Sequence, residues 1–172
     1  MSKRALTKYL QSLDKADLEN QVLELYAKFK PVRDYYAFVF NPKEDKLMEE
    51  ARFKIAKEYF PTNGRKPKAR RSVAHKLIKH FLTLEFDPTM LSDLMLFNIE
   101  TAIRFNAKKP ARQEAFYKSI FNSFEEAVEY IQTNGLAAVQ RQRLDKILDE
   151  VEEQQWWNAE AFERQLQGVF GT

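Results

Sequence analysis

The chain has 172 residues, room for one domain and one sizeable core, because a domain of this size buries roughly 70% of the surface its unfolded chain exposes. It contains no Cys, which excludes Cys-ligated zinc, iron–sulfur clusters, redox dithiols and cysteine nucleophiles and fits a reducing compartment. Apolar residues at 44%, charged residues at 31% and only four Gly make it a globular chain with no Gly-rich phosphate loop and too few turn residues for an all-β fold.

The pattern along the chain is helical throughout. Met1 to Arg4 has the look of a basic leader start, yet Lys8, Gln11 and Asp14 break up the apolar residues after it, so no signal-peptide core is expected. Ser2 suits the cap of a short first helix with Leu6 and Leu10 on one side. Asp14, with Asp17 three residues on, opens a second helix over Lys15 to Lys30, striped by Leu18, Val22, Leu25 and Phe29 and stopped by Pro31. The run YYAFVF at 35–40 has β propensity, but Val32, Tyr35, Tyr36, Val39 and Phe40 follow helical spacing and predict a short buried helix. That run is also the longest apolar stretch, far below the roughly 20 residues that span a bilayer, so no membrane segment and a cytoplasmic address are expected.

Asn41-Pro42-Lys43-Glu44 combines a cap, a Pro at the first helical position and an early carboxylate, and opens a helix to about Phe60 with Leu47, Ala51, Ile55 and Tyr59 inward. Pro61 to Gly64 ends it. A basic loop leads into a helix over about Lys68 to Leu84, whose buried side is Val73, Ala74, Leu77, Ile78, Phe81 and Leu82. Asp87-Pro88 repeats the cap-plus-Pro device and opens Pro88 to Asn106, apolar around most of its circumference and so the expected central helix. Pro110 suits the first turn of the next helix, and Ser123-Phe124-Glu125-Glu126 reads as a capping box for another, closed by Asn134-Gly135. Leu136 to about Gln155 then carries Val139, Leu144, Ile147, Leu148 and Val151. Asn158 can cap a last helix bearing Ala161, Phe162 and Leu166, and the tail is expected to fray from Gly168. The sum is an all-α, compact single domain over 1–172 of about ten helices, with a solenoid-like stack as one form it could take. EYFPTNG at 58–64 echoes EYIQTNG at 129–135, but the flanks barely match, and two helices sharing one way to stop explains the echo better than a repeat.

Charge is unevenly spread. Residues 1–86 hold 19 Lys and Arg against 11 Asp and Glu, and residues 87–172 hold 9 against 14, so the halves carry +8 and −5. Between Glu58 and Glu85 no acid occurs, while Arg65, Lys66, Lys68, Arg70, Arg71, Lys76 and Lys79 all do. RKPKARR at 65–71 is therefore the candidate nucleic-acid contact: Arg offers a planar fork to phosphate, Lys a mobile charge, and the adjoining helix start adds N–H groups. His75 continues that face with Lys76 and Lys79. The counter-reading is a solvated face, or a patch matched to the acids between Asp145 and Glu163.

Other chemistry finds little support. His75 and His80, five apart on a helix, diverge by about 140° and cannot form a ligand pair. Asp145, Asp149, Glu152 and Glu153 share one face, which reads as solvated acid and not as a carboxylate metal site. Trp156 and Trp157 are adjacent and cannot both point inward, leaving one as a partner-facing anchor. No nucleophile elbow, P-loop, dinucleotide fingerprint or kinase signature is present, so no catalytic residue, metal or cofactor is assigned.

SKRALTKYLQSL at the start, EYFP at 58–61, KPKARRSVAHKLIKHF at 66–81 and LMLFNIE at 94–100 together resemble an uncharacterised bacterial domain family of unknown function. The resemblance spans most of the chain and includes the basic segment. It implies a small stand-alone cytoplasmic protein and brings no substrate, cofactor or catalytic residue. The expectation is a non-enzymatic module that docks RNA or DNA phosphates through residues 65–79. The alternative is a helical adaptor or homodimer whose basic face meets an acidic protein or a second copy's acidic helix, with no membrane partner in either case.

Overall fold

The computed structural model describes residues 1–40, 43–62 and 64–171, and among these it contains nine α-helices and no strand. By contacts the chain divides into two compact units, Met1–Lys43 and Glu44–Thr172.

The first unit holds α1 (Lys3–Gln11), α2 (Lys15–Lys28) and α3 (Lys30–Phe40). Two side-chain caps start its helices: Ser2 accepts from the Ala5 amide at 3.2 Å, and Asp14 Oδ1 accepts from the Asp17 amide at 2.8 Å. Phe29 is extended and breaks the chain between α2 and α3, so Pro31 lies in the first turn of α3, where its missing N–H costs nothing. Tyr36 of α3 packs on Tyr26 of α2 with ring centroids 6.4 Å apart. The expected helix over YYAFVF is present, but its burial is corrected: none of the described residues of this unit is buried, and Phe40 is 82% exposed. Three short helices cannot surround an apolar stripe, so periodicity identified the helix without supplying a partner for its face. The start signal at Asn41-Pro42 lies outside the described residues, as does Asn63 in the later stop.

The second unit is built around one helix. It comprises α4 (Glu44–Tyr59), α5 (Arg71–Thr83), α6 (Pro88–Lys108), α7 (Glu114–Thr133), α8 (Ala137–Glu153) and α9 (Ala159–Phe170). As its near-continuous apolar circumference predicts, α6 is the hub: α4, α5, α7 and α8 all pack on it, and α9 covers α7 and α8. Asp87 Oδ1 caps α6 through the Met90 amide at 3.0 Å, with Pro88 behind it. Leu96, Ile99, Ile103, Ile120, Phe124, Leu144 and Phe162 are fully buried in one core.

Several polar groups meet at the edges of this core in matched sets. Gln140 Nε2 donates to Ser92 Oγ and Asp93 Oδ1, and Arg143 reaches Asp93 and Glu100 at 2.8 Å each, fixing α8 against α6. Asn106 holds both the Gln154 side chain and the Ala111 amide. That second bond corrects the helix expected at Pro110: the helix begins only at Glu114, because Asn106 Oδ1 takes the Ala111 amide and the Tyr117 hydroxyl donates to the Ala111 carbonyl.

Other boundaries move for local reasons. Ser123 caps nothing: it lies inside α7 and its hydroxyl donates to the Ser119 carbonyl one turn back, so the two predicted helices are one. Gly135, at φ +68°, closes α7 as expected. Asn158 sits at the start of α9 without side-chain capping and turns its amide to the Tyr117 carbonyl. The helix then continues through Gly168 to Phe170, where fraying was expected. Val139 and Leu82, assigned to buried faces, are 66% and 45% exposed.

Candidate nucleic-acid interface

The basic segment becomes a shaped loop because of one acid at its edge. Glu58, the last carboxylate before the acid-free stretch, receives Arg70 as a two-pronged fork, Nε at 2.9 Å and Nη2 at 2.8 Å. Its backbone carbonyl accepts both the Lys68 and Ala69 amides, at 3.0 and 2.9 Å. Ala69 adopts φ +46° to make that turn, a left-handed conformation that an L-residue holds at some cost. Together these contacts delay the helix start from the predicted Lys68 to Arg71. The Arg70 guanidinium beside Glu58 holds the carboxyl below its usual range, while the same pairing raises Arg70. Lys68 adds a weaker pull on the same carboxyl.

Arg71 turns the other way. Its Nη1 donates to the Ala115 carbonyl at 2.9 Å and to the Phe116 carbonyl at 3.4 Å, tying the start of α5 to the start of α7. The segment 65–71 is thus split by function. Arg70 and Arg71 build the loop, whereas Arg65, Lys66 and Lys68 make no side-chain hydrogen bond or ion pair among the described residues. Lys76, Lys79 and His75 on α5 are likewise without such a partner among the described residues.

The acidic C-terminal helices do not answer this charge. Asp145 pairs with Arg141 at 2.9 Å, Glu150 with Lys146 and Glu160 with Arg164 at 3.7 Å each, all one turn apart on their own helices. No ion pair joins 65–79 to 145–163 among the described residues. Nor does any group of three or more Asp, Glu or His among them suit a metal ion. Trp156 is buried against Tyr117 and Phe162, and Trp157 is 57% exposed, with Lys118 over its ring at 5.7 Å.

Sequence reasoning missed the wall that α7 supplies. A polar cavity of about 520 Å³ lies at the α5 start, lined by Lys68, Arg70, Arg71, Ser72 and His75 and, across from them, by Ser119, Asn122, Ser123 and Glu126. The last four recur at i, i+3, i+4 and i+7, one polar stripe of a continuous helix. Reading Ser123 as a cap cut that stripe in two and hid it.

A helical unit wrapped on one central helix, with a loop that displays cations beside a polar cleft, defines an all-α domain with a candidate anion-binding face. The chain belongs to DUF6155, a family of unknown function, whose family model matches residues 1–169. No curated protein and no solved structure matches it. No helix among the described residues is long and apolar enough to cross a membrane.

Proposed function

We propose that this protein is a non-enzymatic module that docks nucleic-acid phosphates through the loop and helix over 65–79. One observation carries the reading. Arg65, Lys66, Lys68, Lys76 and Lys79 lie unpaired among the described residues along an acid-free stretch, the first three on a loop that Glu58, Arg70 and Arg71 hold in one shape and the last two on α5. A pre-shaped set of cations meets a phosphate backbone without first ordering the loop, and contacts of that kind carry no base code, so low sequence specificity goes with it. A cytoplasmic address, where such polyanions are abundant, belongs to the same reading. The direct test is purification at low salt with and without nuclease: a raised 260/280 nm absorbance ratio that nuclease removes supports it, and a nucleic-acid-free protein at low salt counts against it.

A second reading rests on a different place. Val22, Leu23, Tyr26, Tyr36, Ala37 and Phe40 line an apolar groove of about 610 Å³ in a unit with no buried residue among those described, as a protein–protein adaptor or dimer would use. Concentration-dependent mass in solution, lost on Tyr26→Asp, is its signature.

A further inference from the structure

The polar cavity at the α5 start is not isolated. Beyond it lies a second cavity of about 530 Å³, with Ile78 and Leu82 of α5 and Tyr130 of α7 as walls and Met95 of α6 as floor. His75 and Glu126 line both cavities, so the two are halves of one trough. Its walls run side by side in the same direction, since Arg71 touches Ala115 at one end while Leu82 and Thr133 line the other. Along α7 the lining runs from Ser119 to Thr133, about 21 Å at 1.5 Å rise per residue.

One end is cationic and polar, through Lys68, Arg71 and Ser119; at the other the half-buried Tyr130 ring, Ile78, Met95 and the exposed side of Leu82 form an apolar floor and wall, with Lys79, Glu126 and Glu129 also in its lining. Width decides what fits. Both walls pack on α6, and at interaxial distances of about 8–10 Å with helix radii of about 5 Å the gap between them is at most about 10 Å. A duplex, whose major groove alone is about 12 Å wide, does not enter such a gap. An unpaired strand does, with phosphate at the cationic end and a base laid on apolar and aromatic side chains at the other.

We infer that the trough between α5 and α7 takes the single-stranded part of the bound nucleic acid, its phosphate beside Lys68 and its base against Leu82, Met95 and Tyr130. This rests on the phosphate-docking reading and adds strandedness to it. It also accounts for the exposure of Leu82, whose position on the helix predicts burial.

The test is a fluorescence competition in which an unlabelled single-stranded RNA hexamer and a blunt duplex of the same sequence displace a labelled hexamer. Three proteins are compared: wild type, Leu82→Asp, and the double variant Lys66→Glu, Lys68→Glu. The hexamer is expected to compete about tenfold better than the duplex on wild type, with Leu82→Asp losing about tenfold for the hexamer only and the double Lys variant losing both. Equal competition by hexamer and duplex would overturn the trough assignment while leaving phosphate docking in place. That comparison uses the unaltered protein and stands even if Leu82→Asp misfolds. Failure of both nucleic acids to bind at low salt would overturn both readings. A dimer that Leu82→Asp dissociates, with no hexamer binding, would give the trough to a second copy of the chain.

Discussion

Arg65 to Lys68 and Arg70-Arg71 are neighbours of one charge and nearly one composition, yet they do opposite things. The second pair is consumed inside the protein: Arg70 closes on Glu58 and Arg71 reaches the carbonyls that open α7. The first three cations stand outside that clamp. Charge density along a sequence therefore does not say which charges are available, because an acid or carbonyl brought close by folding takes its share. Substitutions that treat the two groups alike will mix a folding effect with a binding effect.

The largest expected effect comes from Arg71→Ala. It leaves the Ala115 and Phe116 carbonyls without that donor and frees α5 from α7, and is predicted to cost about 1–2 kcal/mol in urea unfolding. Next is the clamp. Because Arg70 lowers the Glu58 carboxyl in the folded state, the stability that carboxylate contributes is present above the ordinary carboxylate range, near pH 4, and is lost as pH falls through the lowered value. Hydrogen exchange at the Lys68 and Ala69 amides, both held by the Glu58 carbonyl, should accelerate relative to the core as pH falls below about 4. In Glu58→Gln that protection is expected to be reduced at neutral pH and to lack this acid-dependent step. The double variant Lys66→Glu, Lys68→Glu, at exposed positions without a hydrogen-bond or ion-pair partner among the described residues, should cost no more than about 1 kcal/mol of unfolding free energy, the loss of the Lys68 pull on Glu58 included.

A comparably small effect, of opposite sign, is expected beside the clamp. Tyr59 follows Glu58, is 1% exposed, and its hydroxyl finds no partner among the described residues; burial pushes its phenol up to about 12. Tyr59→Phe removes an unsatisfied group and should range from neutral to about 1 kcal/mol stabilising. A raised folded value means stability fully present below pH 10 and lost as pH climbs toward 12. Absorbance at 295 nm should show Tyr59 ionising after the exposed tyrosines.

Much of the fold was legible because its signals are local. Asp87-Pro88 named the start of α6, Asn134-Gly135 the end of α7, and the apolar circumference of α6 its central place. The misses occur where a distant group overrides a local preference. Asn106 holds the Ala111 amide and keeps Pro110 out of a helix, and the Glu58 carbonyl does the same to Lys68 and Ala69. Ser123 had the composition of a cap and the position of a mid-helix residue, and nothing within three residues of it separates the two. At the candidate site the cations were legible from spacing. Their division between clamp and surface was not, since it depends on Glu58, twelve residues from Arg70, and on carbonyls more than forty residues from Arg71.

The measurement that bears most directly on the account is fluorescence anisotropy of labelled single-stranded RNA at low and moderate salt, with wild type and the double variant Lys66→Glu, Lys68→Glu. If about five phosphates are neutralised, affinity should drop by ~2.7 log units between 50 and 200 mM salt, and the variant should lose both affinity and slope while keeping its circular dichroism. Binding that ignores salt, or a variant that binds as wild type does, would contradict the assignment of 65–79 as the phosphate contact.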